Sequence, residues 1–174
     1  MDKQTYNQRY ERYKFEIQYP VLDIGGWDGS FLKTIGVANA TIIDLTEDKS
    51  KNPNFKYIKA DVSKKLPDLE LKYGTIFLTE ILEHLNNPLY LMSQVYDLLA
   101  IDGNCFISIP YTEFSKRYSS GKWDLGHVSR WTLKEITEQM KKIGFKVEVI
   151  QTRRRFKNIA FWQPHCWIVL KLTR

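Results

Sequence analysis

The sequence predicts an α/β protein built on a doubly wound, mostly parallel seven-stranded sheet with an antiparallel hairpin at its C-terminal end. Three observations predict this. Short apolar runs alternate with helical patterns along most of the chain. A glycine-rich turn, Gly25-Gly26-Trp27-Asp28-Gly29, directly follows the first of those runs. Residues 152–161 leave too little chain for a crossover helix, so the last two strands must run antiparallel.

Residues 3–19 place Tyr6, Tyr10, Tyr13 and Ile17 at helical spacing, which predicts an amphipathic helix or ordered arm, closed by Pro20. This N-terminal arm or lid, 1–19, precedes the main domain, 20–174. Val21-Leu22-Asp23-Ile24 is the first strand, and Ser30 to Ile35 a short helix closed by Gly36. Ala40 to Leu45 is the second strand. The segment that follows it, Thr46 to Asn54, is too short and too broken by Pro and Asn for a crossover helix. Phe55 to Asp61 alternates at period two as a third strand, and Thr75 to Thr79 is apolar enough for the middle of a parallel sheet.

Asn87 and Pro88 then supply an N-cap and a first helical position, with Leu89, Met92, Val95, Tyr96 and Leu99 as the buried stripe. Asp102-Gly103 is read as the turn into a fifth strand, Asn104 to Ile109, which Pro110 stops. After a long polar loop, Tyr111 to Arg130, Thr132 and Glu135 form a capping box for a helix that runs to Lys142 before Gly144. Phe145 to Gln151 and Trp162 to Leu172 are the final strands.

Composition narrows the class. With 43% hydrophobic and 26% charged residues in 174, the chain reads as one globular domain, neither disordered nor fibrous. The N-terminal segment is polar and carries acids among its bases, unlike a secretory signal. The longest late apolar stretch, Trp167 to Leu170, is far short of the roughly 20 residues of a bilayer helix. The expectation is a cytoplasmic protein with no membrane partner. Cys105 and Cys166 lie in apolar runs without CxxC spacing, which reads as buried reduced thiols, and no metal is expected. The net charge of +6 permits an acidic partner without requiring one.

In a sheet of this kind a ligand binds beyond the carboxyl ends of the strands, where connections diverge to opposite faces. The glycines after the first strand allow the backbone to approach a ligand and to adopt positive φ. Asp44 ends the second strand 21 residues beyond Asp23, the spacing at which an acid meets ribose hydroxyls. Asp61 ends the third, placed to accept a hydrogen bond from an adenine amino group. The pyrophosphate fingerprint GxGxxG would need glycines at positions 25, 27 and 30, but Trp27 and Ser30 occupy two of these. The loop therefore lacks the dinucleotide fingerprint, whereas an adenosine bearing an amino-acid tail and no pyrophosphate asks less of it.

Here the sequence resembles a known family. VLDIGGWDGSFL looks like the first motif of class I S-adenosylmethionine-dependent methyltransferases. The likeness continues through IIDL and the Ala60-Asp61-Val62 segment. It is clearest in FLTEILEHLNNPLYLMSQVYDLLAIDGNCFISIP, which is similar to the small-molecule group, and HVSRWTLKEITEQMKKIGFKV follows it. It spans about residues 20–150 and implies a Rossmann-like fold with S-adenosylmethionine as cofactor. It further implies that Gly25, Gly26 and Trp27 line the methionine moiety, with Asp23 near its amino group. Asp44 and Leu45 would flank ribose and adenine, Asp61 and Val62 the adenine edge, and Thr79 and Glu80 the exposed side of the cofactor. Trp27 departs from the glycine usual in the family.

Glu80, Glu83 and His84 cluster just past the fourth strand, near where a transferred methyl would lie. His84 and His127 are the candidate bases, since an imidazole exchanges protons near neutral pH. In-line displacement on an activated sulfonium needs alignment above all, so a structural role for both remains the alternative.

The expected partner is a small-molecule acceptor, with a homodimer as a further possibility. Two other readings stand beside it: a catalytically silent binding or assembly module, suggested by Trp27, and an RNA or other nucleic-acid methyltransferase. The last rests on Arg153, Arg154, Arg155 and Lys157 around Phe156, which suit phosphates and a stacked base but are equally a solvated turn.

Overall fold

A computed structural model describes residues 15–46, 52–110, 126–151 and 167–174. The elements follow the chain as β1 (Val21–Ile24), α1 (Ser30–Thr34), β2 (Ala40–Asp44), β3 (Phe55–Lys59) and β4 (Tyr73–Thr79). Then come a 3₁₀ turn (Leu82–His84), α2 (Pro88–Leu98), β5 (Leu99–Pro110), α3 (Leu133–Ile143), β6 (Lys146–Gln151) and β7 (Trp167–Thr173). The seven strands lie in the order β3-β2-β1-β4-β5-β7-β6. β1 to β5 are mutually parallel, and β7 is antiparallel to both β5 and β6. From β1 the order runs to β2 and β3 on one side and to β4 and β5 on the other, which puts the topological switch point at the carboxyl ends of β1 and β4.

Every residue of β1 and β4 is buried, as expected for strands covered on both faces. Alternation divides their side chains between two cores. Leu22, Ile24, Ile43, Ile76, Leu78 and Ile107 face α2 and α3, where Leu91, Met92, Val95, Ile136 and Met140 meet them. Val21, Ile42, Phe77 and Phe106 face the opposite way, onto Phe31 and Leu32 of α1.

Residues 15–18 of the N-terminal arm supply part of the cover on that second face. The Phe15 ring packs edge-on against Phe31, Phe77 and Phe106, with centroids 6.2, 5.3 and 4.9 Å away. Gln18 N–H donates to Thr75 Oγ1 at 2.7 Å, and Glu16 accepts from Asn104 and Lys171. Gly74 makes this approach possible, because a Cβ there would come within 2.7 Å of the Gln18 carbonyl oxygen. Of the helix or ordered arm expected over 3–19, residues 15–18 are ordered without helical structure. The Gln18 amide, which a helix would spend on its own backbone, is given to the sheet. Tyr6, Tyr10 and Tyr13 lie outside the described residues, as do Trp123, Cys166 and the 153–157 basic run.

Local signals place the helices. The Asn87 side chain accepts from Tyr90 N–H, with Pro88 at the first helical position of α2. Thr132 and Glu135 make both bonds of the capping box, at 3.1 and 2.8 Å, and Gly144 ends α3 at φ 122°. Two details differ from the sequence reading. The buried stripe of α2 includes Leu91, and Leu99 is buried as the first residue of β5 instead of the last of the helix. Asp102-Gly103 is not the turn into β5 but lies within it, where the pairing with β4 jumps from Tyr73–Leu99 to Thr75–Asn104. A bulge absorbs the extra residues there. Cys105 is a free, fully buried thiol whose pKa burial pushes up. Among the described residues, no helix is long and apolar enough to cross a membrane.

Candidate functional site

The loop after β1 is built by its glycines. Gly25 turns at φ 78° and donates its N–H to Ile43 O at 2.7 Å, while a side chain at this position would strike Ile81. A Cβ on Gly26 would collide with the carboxyl of Asp23, which lies directly beneath it. Asp23 is wholly buried, and neither of its oxygens has a hydrogen-bond partner. Burial, and then the nearby charge of Asp44, push its pKa up to about 8.

Trp27 holds a left-handed backbone at φ 47° with its side chain half-exposed. A tryptophan tolerates this poorly, and the conformation is held by its N–H, which donates to Asp44 Oδ2 at 3.0 Å. The other oxygen of Asp44 accepts from the Thr46 amide and hydroxyl, at 2.9 and 2.7 Å. Asp44 thus ties the carboxyl ends of β1 and β2 together, with Leu45 exposed beside it.

Asp61 is turned to its own loop. Its Oδ1 accepts from the Ser63 amide and hydroxyl, and Lys64 lies 3.3 Å from Oδ2; the Ser63 bonds, more than Lys64, hold its pKa below the usual carboxylate range. Val62 packs into the larger core. At the end of β4, Thr79 is buried and Glu80 takes φ 55°, its carboxylate accepting from Ser108 Oγ at 2.8 Å.

The 3₁₀ turn after Glu80 meets a segment 42 to 46 residues further on. The Glu83 carbonyl accepts from Val128 and Ser129 amides at 2.8 and 3.0 Å, Ser129 Oγ donates to Leu85 O at 2.7 Å, and His84 Nδ1 lies 3.2 Å from Gly126 O. These bonds bring His84 and His127 ring to ring, with centroids 4.7 Å apart. The Glu83 side chain is 2% exposed, and its Oε2 is unpartnered. Burial, followed by the charge of Glu80, raises its pKa well above the ordinary range. The sequence puts His127 on the same edge as His84 as a second candidate base, but that the two rings meet beside Glu83 is decided by which part of the polar loop returns to β4.

A family model described as a methyltransferase domain matches residues 8–150. The chain belongs to this methyltransferase family. S-adenosylmethionine is the cofactor that goes with the family and its fold. No curated protein matches the methyltransferase by sequence. Among solved structures, it is similar to a SAM dependent methyltransferase from Archaeoglobus fulgidus, with 18% identity, a TM-score of 0.75, and coverage of 99% of this chain and 95% of that one. The YcgJ protein from Bacillus subtilis matches at 12% identity and TM-score 0.70 over 99% of each chain. Magnesium protoporphyrin IX methyltransferase from Synechocystis PCC 6803, solved with bound SAH, matches at 16% identity and TM-score 0.65, over 88% of this methyltransferase and 73% of that chain. At these identities the likeness is one of fold.

Proposed function

We propose that the protein binds S-adenosylmethionine over the β1–β4 switch point and transfers its methyl group to a small-molecule acceptor. The observation that carries this reading is Asp23, a fully buried carboxyl without a partner beneath the Gly25-Gly26 loop. Such a group costs folding energy, and the ammonium of a methionine tail is of the charge that would relieve it. The residues present are therefore compatible with the cofactor. Gly25 and Gly26 would admit the methionine end, Asp44 has lone-pair capacity left on Oδ2 for a ribose hydroxyl, and Leu45 offers an apolar flank. Trp27 would stack beside the ligand from its half-exposed position. Asp61 would meet adenine only alongside its bonds to Ser63, with Val62 supporting that wall from the core and Thr79 and Glu80 bordering the exposed side.

When bound, the cofactor supplies a methyl group on a positively charged sulfur, which displacement passes to a nucleophile as the carbon–sulfur bond breaks. The role left to the protein is alignment and, for an acceptor that carries a proton, its removal by His84 or His127 beyond β4. The test is titration calorimetry with S-adenosylmethionine and its demethylated product. Binding is expected, and Asp44→Ala should weaken it roughly tenfold or more, in line with loss of a charge-assisted hydrogen bond. Absence of binding at millimolar concentration would overturn the reading. A methyl-transfer screen over small acids, amines, sugars and RNA then identifies the acceptor.

One observation favours a second reading, a silent binding module: the bulk of Trp27 stands in the loop at a backbone angle that suits glycine. If Trp27→Gly raises cofactor affinity by about tenfold or more, roughly 1.4 kcal/mol, the native loop is partly closed to the cofactor and that reading gains.

A further inference from the structure

We propose that Glu83, His84 and His127 form a binding site for a divalent first-row transition-metal cation. One ligand atom from each of the three lies within 4.8 Å of the others, a grouping that can close on a single ion. The donor set, two imidazoles and one carboxylate, suits zinc, iron or manganese and leaves coordination positions open for water or an acceptor heteroatom.

Two further observations point to a cation. Glu83 is 2% exposed, and its Oε2 has no hydrogen-bond partner, so one buried oxygen of the cluster is left without a donor. The His84 ring is also held as a metal ligand is held. Its Nδ1 lies 3.2 Å from the Gly126 carbonyl oxygen, and in the tautomer that donates from Nδ1 the Nε2 lone pair is left for coordination.

The frame around the cluster is set by backbone bonds that need no ion. Val128 and Ser129 amides on the Glu83 carbonyl, and Ser129 Oγ on Leu85 O, fix the His127 segment against the 3₁₀ turn. The carboxylate of Glu80, three residues before Glu83, adds negative charge beside the cluster. Metal binding follows from these residues whether or not the protein transfers methyl groups. Its consequence for an acceptor rests on the methyl-transfer reading: an acceptor hydroxyl bound to the ion would lose its proton more readily and be held past β4.

The test uses untagged, chelator-stripped full-length protein titrated calorimetrically with Zn²⁺ and separately with Mn²⁺, in the absence of any methyl donor. One saturable equivalent per chain is expected for at least one ion, with affinity weakened roughly tenfold or more by His84→Ala and by His127→Ala. Both variants should keep the wild-type circular dichroism. Glu83→Gln should act in the same direction, and the two histidine variants decide the matter if it does not fold. The proposal is overturned if neither ion binds more tightly than about millimolar, or if both histidine variants bind as the wild type does. Failure of cofactor binding in the separate calorimetry would leave this result unaffected.

Discussion

Asp23 is where chemistry and stability pull apart most clearly. Its folded-state pKa is raised from 3.8 to about 8, so between those values the folded protein keeps a proton that the unfolded chain releases. Below pH 4 both states are protonated and the group adds no pH dependence. As pH rises from 4 to 8 its contribution falls, by at most about 1.4 kcal/mol per pH unit, and above 8 it levels off. Asp23→Asn should therefore flatten the decline in urea-unfolding free energy over this window and make the protein more stable than wild type at pH 8. An unchanged pH profile would mean that Asp23 is ionised in the folded state. At this scale the sequence located residues well and their partners poorly. Asp23 was legible from the glycines that follow its strand, and Asp44 from its place at a strand end 21 residues further on. That Asp44 accepts the Trp27 amide, and that Asp61 is engaged by Ser63, depend on loop geometry no spacing encodes.

The elements themselves were legible wherever their signals are local. The α3 capping box is a four-residue pattern, and both of its bonds form. Thr132→Ala should cost about 1 kcal/mol, read as a lower midpoint in chemical denaturation with the m-value unchanged. The start of β5 was read less well, since its first residues run directly out of α2 and pair with β4 through a bulge that only the neighbouring strand defines. Of the two forms expected for the arm, helix or ordered arm, the helical one is absent at residues 15–18 for a related reason. Tyrosines at helical spacing predict a helix, yet at its C-terminal end a bond from Gln18 to Thr75 and the Phe15 contacts win over intrahelical bonding.

Across the whole molecule, the end of the arm at residues 15–18 packs on the sheet's second face. Phe15→Ala should destabilise the protein by about 3 kcal/mol through lost burial and aromatic contacts, while leaving the 83–129 junction and its metal affinity unchanged. Chemical denaturation checks the first part, and zinc titration the second. By itself the sequence determined the alternation of strand and helix, the seven-stranded α/β class with its antiparallel end, and the acids and glycines that line one edge. These follow from periodicity, turn chemistry and chain length, which are properties of contiguous residues. Only the tertiary structure decided that Phe15 and Gln18 lie against the sheet, that Asp23 is left without a partner, and that the His127 ring meets His84 beside Glu83. Each of these depends on residues far apart in the chain meeting in a shared, water-poor space, where an unpaired charge or a free lone pair acquires its meaning.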